Sequence, residues 1–594
     1  MLARGDWITP TFNGAPRFDK PVLFYWLIMG SYAGFGVSEF AVRLWSALAG
    51  MALVLLTAWA ARRWLPPSAD FWAGVALATC FLTALLARAA VTDMLLALCV
   101  TAAILAGVAA LEVPDRAERM AHRAQGTGHG AQGMAHGAER TAYDAQGTVL
   151  DAQGTALGAQ RTAHGAQRSA RGAGSWALFA WAAMALAVLV KGPIGLVIPA
   201  ITFGLSLPAT REVRFGLRRL VPWQGLLLFL CLTLPWYLLV LRANGWAFVE
   251  GFVIKHHFTR YTGVVSSHAG PFWFYLPVLL IGFFPWSGYL PSAGWRAWQI
   301  LRRRRAERHG DRLIVVCACW AAAVFVFFSL AGTKLPSYLF PAFPALALLV
   351  AGLGISNEKC KMKNRPTEQT VARFSILNFS FSIDQPRIDA RLVRLAPWLI
   401  GGVGAALAIG FALLPWILEL ARPAARGILD GVEAPTALAF GLAGLLGVGT
   451  TTGLCASGWR RPSILAAMMV GVILAAALLA APKAHAILQG ALREFSDDAR
   501  RLVPPDGTVV AYGLNAPSIV FYAERRVLPL GPGTPDGLDR IQRLLAEGRP
   551  IVVISRSAHA PILDRVPGLI RGKARSGFAI YWPRAASQIS AAPR

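Results

Sequence analysis

About 20 consecutive apolar residues carry a helix across the hydrocarbon core of a bilayer. This chain supplies twelve such segments, near 41–62, 70–90, 93–112, 175–190, 193–209, 222–242, 271–291, 312–330, 336–356, 394–415, 435–455 and 462–482. Of its 594 residues, 55% are hydrophobic and only 15% charged, against roughly 45–50% apolar and 25% charged in soluble domains. Mean hydropathy is +0.49. The expected fold class is an all-α polytopic membrane protein, with residues 41–482 as its transmembrane domain.

The formal charge of +27 invites a nucleic-acid reading, but Lys and Arg cluster between the apolar runs, as in cytoplasmic loops, so nucleic acid is excluded as a partner. The basic loops are Arg62-Arg63, the segment 115–172, Arg211 to Arg219, Arg302 to Arg308, 357–393 and Arg460-Arg461, and every one follows an odd-numbered span. The positive-inside bias places them in the cytoplasm. Residues 1–40, the turns at Asp93, Lys191 and Lys334, the loop 243–270 and everything after 483 then lie outside. The seven cysteines fall mostly in apolar runs and frame neither disulfides nor a CxxC metal site. The opening MLARGDWITP has no basic n-region followed by an apolar stretch, which reads as neither signal peptide nor leading helix, and as a chain missing its front end.

Within 121–175 a seven-residue unit repeats: AHRAQGT, GHGAQGM, AHGAERT, AYDAQGT and their decayed successors. The positions a coiled coil would fill with large apolar residues hold Ala, Gly or Asp, and each Gly costs a helix about 1 kcal/mol relative to Ala. The segment 115–175 is therefore read as a disordered cytoplasmic insert. Its histidines recur because the unit does, which favours repeat expansion over metal binding. After 483, the runs TVVAYG, RVLPLG, PIVVIS and FAIYWPR alternate with the helix-like PSIVFYAER and GLDRIQRLLAEG. They predict a small soluble α/β domain over 483–594.

The outside segments hold an unusual share of membrane-adjacent ionisable residues, which are costly and tend to be functional. GDWITPTFNGAPRFDKPVLFYWL puts Lys20 at headgroup height after Asp19, though the two could simply pair with neighbours and snorkel. Asp93 could orient a base or take a proton, or only cap a helix. Lys191, isolated between apolar runs and followed by Gly192 and Pro193, is suited to a phosphate. KHHFTRYTG gathers His256, His257, Arg260 and Tyr261, and GTKLPSYLFPAFP adds Lys334 and Tyr338, the latter also readable as interfacial belt. Cations converging on one face suit an anionic leaving group better than proton-coupled transport. Asp19, His256 and His257 offer oxygen and nitrogen ligands to a divalent cation, but no motif spacing demands one.

The order GDWITPTFNGAPRFDKPVLFYWL, SEFAVRL, VTD, VKGPIGLVIP, HHFTRYT, PFWFYLPVLLIGFFPW and KLPSYLFPAFPAL over about residues 1–350 resembles the ArnT and protein mannosyltransferase-like family of GT-C glycosyltransferases. The resemblance implies an inner-membrane enzyme that moves a sugar from a polyprenyl phosphate to an acceptor outside, usually with inversion. The acceptor would be lipid A, a glycan or a protein. Lys20, Arg260 and Lys191 are the implied holders of the donor phosphate, with Tyr338 and His256 or His257 lining the site. The family has a further transmembrane helix and an acidic pair ahead of a segment like MLARGDW. This chain begins after them, which implies either a longer natural start or an inactive product, and twelve spans where thirteen are expected. Val22 also stands where the family often has a second proline.

A hydroxyl acceptor requires a general base, and Asp93 and Asp19 are the carboxylates remaining; an ionised phosphate requires little. A transporter or flippase of anionic lipids is the competing class, and it predicts ionisable residues at mid-membrane depth, whereas the span centres here are clean. An assembly protein anchored by its membrane part needs far fewer spans.

Overall fold

In lipid a backbone must satisfy its own hydrogen bonds, so spanning segments form helices, and the computed structural model follows that rule over the membrane part. The structure describes residues 1–112, 174–259, 261, 263, 270–302, 310–353, 390–421, 436–456, 460–514, 517–531 and 537–584. The helices are α1 (Leu23–Phe35), α2 (Glu39–Trp64), α3 (Ala69–Ala78), α4 (Phe81–Arg88), α5 (Thr92–Leu111), α6 (Gly174–Lys191), α7 (Ile194–Thr210), α8 (Val213–Leu220) and α9 (Trp223–Asn244). A π-helical stretch, Val249–Thr259, leads to α10 (Phe272–Gly282), α11 (Trp286–Arg302), α12 (Asp311–Leu330), α13 (Pro336–Ala351), α14 (Ala390–Ala421), α15 (Thr436–Cys455) and α16 (Arg460–Ala486).

Among the described residues eight helices are long and apolar enough to span: α2, α5, α6, α9, α12, α15, α16 and Leu395–Leu420 of α14. The other four expected spans are built differently. Segment 70–90 is α3 and α4, bent by 62°, and 271–291 falls on α10 and α11, bent by 111°. Phe283-Phe284-Pro285 lies at that second break, where proline removes a backbone donor and cannot continue a helix. Segments 193–209 and 336–356 are the shorter apolar helices α7 and α13. The heptapeptide insert lies outside the described residues, except that Gly174 and Ser175, which close its last decayed unit, already belong to α6.

The chain packs as two units, one of residues 1–10, 18–400 and 457–460, the other of 11–17, 401–456 and 461–594. In the first, α5 is the core helix, 89% of its most apolar window being buried, whereas the figure for α9 is 17%; α9 shows its leucines to lipid. Local chemistry sets the ends. Ser38 caps α2 by accepting from the Ala41 amide at 3.2 Å, and Glu39 pairs with Arg43 one turn on. At the other end of α2, Arg63 bonds Glu112 at 3.2 Å and lies over the rings of Trp59, Trp64 and Trp176. One guanidinium thereby holds residues on both sides of the insert. Arg312, at the start of α12, donates to Glu212 at 2.6 Å and to the Leu111 carbonyl at 2.6 Å, fastening three helix ends.

In the second unit a five-stranded sheet of β3 (Thr508–Tyr512), β4 (Val527–Leu530), β5 (Ile551–Arg556), β6 (Leu569–Arg575) and β7 (Phe578–Pro583) has the order β4-β3-β5-β7-β6. Strands β4, β3 and β5 are parallel, while β7 runs antiparallel to both β5 and β6. Helices α17 (Gly490–Leu502) and α18 (Pro517–Ala523) cover one face through Phe495, Ala499 and Ile519, and α19 (Gly537–Ala546) covers the other through Ile541 and Leu544. Four strands match the apolar runs of the sequence; β6, reading LIRGKAR, does not, because it is a largely exposed strand.

Residues 11–17 pack with this domain. Thr11–Phe12 (β1) and Ala15–Pro16 (β2) form a hairpin turned by Asn13 and Gly14 at φ +52° and +85°, the two positive φ values that an Asn-Gly turn supplies at least cost. The Asn13 amide donates to the Val527 carbonyl at 2.6 Å and accepts from the Val527 amide at 2.8 Å, pairing the edge of β4 as a further strand would. Asn13→Ala leaves both groups of Val527 unpaired, at about 1–3 kcal/mol. Hydrogen exchange at the Val527 amide should therefore accelerate by at least about tenfold while exchange in β5 stays unchanged.

Candidate active site

The site begins where α6 ends. Gly192, at φ +88°, breaks the helix after Lys191, and Pro193 opens α7; a Cβ at Gly195 would strike the Ala187 backbone, so the two helices turn back tightly and Lys191 stands at the bend. Its ammonium donates to Asp93 Oδ1 at 2.7 Å and lies 4.9 Å from the centre of the Tyr338 ring. Both side chains of the pair are nine-tenths buried. Asp93 sits in the first turn of α5, where the helix dipole favours an anion. Val91, with no side-chain hydrogen bond, is the N-cap, so the capping alternative for Asp93 gives way to ion pairing with Lys191. An ion pair removed from water holds its partners firmly, because losing either strands a buried charge.

A second pair forms alongside. His256, on the π-helical stretch, meets Asp19 Oδ1 through Nε2 at 2.9 Å, while its buried Nδ1 has no hydrogen-bond partner among the described residues. The stretch is seated by Phe248 and Phe252, which pack with Val22, Leu189, Trp236 and Val240. The segment before Asp19 is fixed by polar contacts: Asp6 Oδ1 accepts from the Ile8 and Thr9 amides at 2.9 and 3.0 Å, and Trp236 Nε1 donates to the Ile8 carbonyl at 3.0 Å. The Thr9 amide, with help from that of Ile8, holds the Asp6 carboxyl below its ordinary pKa.

Between these pairs lies a cavity of about 420 Å³ lined by Asp19, Lys20, Lys191, His256, Tyr261, Thr333 and Tyr338, and by apolar Ile194, Val197, Phe252, Val253, Phe258, Phe327 and Phe328. Among the described residues its acidic and basic side chains are Asp19, Lys20, Lys191 and His256, and apart from the hydroxyls of Thr333, Tyr261 and Tyr338 the rest is hydrocarbon and aromatic. Among the sequence candidates the structure thus brings together Asp19, Lys20, Lys191, His256 and Tyr338, with Asp93 directly behind Lys191. Lys334 is placed otherwise: 6% exposed and outside the cavity wall, it donates to the carbonyls of Ser329 and Ala331, both at 2.7 Å. Burial lowers its pKa. It fastens the turn that carries Thr333 and leads into α13, where Tyr338 lies. The His257 side chain and Arg260 lie outside the described residues. Among the described residues no three His, Cys, Asp or Glu gather as a metal site.

Sequence reasoning passed over Phe252, Phe327, Phe328 and Thr333. Phe252 stands four residues before His256, a spacing that signals a shared side of a helix. Phe327 and Phe328 look like ordinary span residues, and nothing local sets them apart. Thr333 donates to the Gly263 carbonyl at 3.1 Å, and the Gly332 amide to the Tyr261 carbonyl at 2.8 Å. Two separate loops are thereby stitched together at the cavity.

Breaking the Asp93–Lys191 pair should be costly and non-additive. Asp93→Ala or Lys191→Ala alone is expected to destabilise by about 3–5 kcal/mol, and the double variant by much less than the sum. A double-mutant cycle of thermal unfolding in detergent measures this; simple additivity would show that the pair is not coupled.

The chain is similar to several known proteins. The family model described as dolichyl-phosphate-mannose-protein mannosyltransferase matches residues 19–120. Several relatives are described as undecaprenyl phosphate-alpha-4-amino-4-deoxy-L-arabinose arabinosyl transferases. One from Edwardsiella ictaluri is 27% identical over 90% of this chain and 82% of its own length. One from Erwinia tasmaniensis is 27% identical over 67% of this chain, and one from Sodalis glossinidius is 32% identical over 60%. The chain spans 59% of the Erwinia relative and 52% of the Sodalis relative. The crystal structure of ArnT from Cupriavidus metallidurans bound to undecaprenyl phosphate superposes with a TM-score of 0.65 at 22% identity, over 100% of this chain and 93% of that one. The apo form of the same protein gives the same TM-score. Fold, family match and relatives together make this chain a multi-pass membrane protein that is similar in fold to ArnT and in sequence to the arabinosyl transferases.

Proposed function

We propose that this chain is a glycosyltransferase that takes its sugar from a polyprenyl phosphate at the outer face of a bacterial inner membrane. The observation that carries the reading is the cavity itself, which joins the Lys20 and Lys191 cations to an apolar wall of Ile194, Val197, Phe327 and Phe328. A lipid-linked phosphate has the same division. The relatives' names point the same way, since each includes undecaprenyl phosphate, and the ArnT structure holds that lipid.

In this reading the bond between the sugar's anomeric carbon and the phosphate oxygen breaks as an acceptor oxygen attacks that carbon from the opposite side. The electron pair leaves with the phosphate. Lys191 and Lys20 stabilise the charge that develops there, and Asp93 holds Lys191 in place for it. Asp19 is the one carboxylate among the described lining residues and is already engaged by His256. This favours an ionised acceptor, such as a phosphate of lipid A, over a glycan or protein hydroxyl that must lose a proton to a base. A divalent cation held by Asp19 and His256 would replace the hydrogen bond between them, and these two ligands are all that the described residues bring to it.

Lys191→Ala should lower sugar transfer from undecaprenyl-phosphate-linked donor to membrane lipid acceptors by about 10²–10³-fold. Radiolabelled sugar is the readout. Transfer by the unaltered chain that survives this change undiminished, or its absence with active donor and acceptor present, overturns the reading; movement of the lipid across vesicles without sugar transfer would favour a flippase. For orientation, the charged loops predict that alkaline phosphatase fused after Arg584 is active, as it is only outside the cytoplasm.

A further inference from the structure

Helix α8, the link between α7 and α9, divides its residues between a docked face and an exposed apolar strip flanked by arginines. Its glycine face is docked: a Cβ at Gly216 would collide with Leu207, and Trp181 Nε1 donates to the Leu220 carbonyl at 2.7 Å. The helix is therefore fixed in rotation. Facing away from the protein are Val213 at 40% exposure and Leu217 at 52%, followed by Val221 at 52% and Trp223 at 70%. This apolar strip runs on into Leu226, Leu227 and Leu230 of α9, themselves 40–51% exposed on a membrane-spanning helix. The strip is the edge of a lipid-facing surface.

Beside it stand Arg214 and Arg218, both exposed and four residues apart on one side of the helix. Arg219 lies over the Phe215 ring at 4.9 Å. The one carboxylate of the segment 211–219, Glu212, is taken up by Arg312 at 2.6 Å, so it does not neutralise them. Among the described residues neither Arg214 nor Arg218 has an ion-pair partner.

We propose that α8 binds an anionic phospholipid of the cytoplasmic leaflet, Arg214 and Arg218 holding the headgroup phosphate while Val213, Leu217 and Val221 lie against its acyl chains. The charge fixes the sign of the ligand, and continuity with the lipid face of α9 fixes its class. Basic residues beside an apolar helical strip draw anionic lipid in this way. The site is separate from the cavity around Lys191 and does not depend on the transferase reading.

Native mass spectrometry of the whole chain in detergent tests it, with phosphatidylglycerol and phosphatidylcholine as probes. The unaltered chain should retain phosphatidylglycerol preferentially. Arg214→Gln with Arg218→Gln should weaken that binding by about thirtyfold, the two-arginine effect at an anionic surface, and the paired Lys substitutions should restore most of it. Glycerophosphate without acyl chains should not compete. Equal retention by the chain and its double Gln variant overturns the proposal, as does retention of phosphatidylcholine as strong as that of phosphatidylglycerol. Should the double variant fail to fold, retention by the unaltered chain must fall as salt is raised; insensitivity to salt contradicts the proposal equally.

Discussion

The ion pair between Lys191 and Asp93 is the constraint around which the membrane unit is organised. A lysine and an aspartate that are both nine-tenths buried are tolerable only together, because an isolated charge there would be desolvated without return. Meeting at 2.7 Å requires the end of α6 and the start of α5 to lie at one level, and the cation's approach to Tyr338 brings the start of α13 to the same level. Three chain segments far apart in sequence are thus held at one height. The cavity lies beside them.

A bilayer rewards few kinds of polar contact, and this protein places them at helix ends. Arg312 with Glu212 and the Leu111 carbonyl fastens α12, α5 and the start of α8 much as Lys191 fastens α6 and α5. Lys334, which donates to two carbonyls at the end of α12, is a third such fastener. Cations in this fold divide into those that hold backbone and those turned toward a space that can receive an anion. Burial and partner, rather than residue type, make the division.

The sequence made the membrane architecture legible because hydropathy is a sum over about 20 residues and survives local irregularity. It could not show that 271–291 bends by 111°, although Pro285 in FFPW was a signal of the break. Lys191 stood out because a lone lysine between apolar runs has no ordinary explanation. Its partner did not, since Asp93 lies 98 residues away and pairing across that distance leaves no local trace. Asp19 and His256 were recognised singly for the same reason. Lys334 stands out in the sequence by its position alone, and only the geometry reveals which carbonyls its ammonium meets. The Asn13-Gly14 hairpin had a clear turn signature, whereas its docking on Val527, 514 residues on, had none. Strand β6 was missed because an exposed strand has no apolar run to find.

The central claim is that the cavity bounded by Lys20, Lys191, Phe328 and Tyr338 receives a polyprenyl phosphate. Photocrosslinking with an undecaprenyl phosphate analogue carrying a diazirine in its first isoprene units, followed by peptide mapping, tests it most directly. The account predicts label within residues 191–197 and 327–338, suppressed by excess undecaprenyl phosphate but not by undecaprenol. Label spread along the lipid-facing surface of α9, or equal suppression by the alcohol, would contradict it.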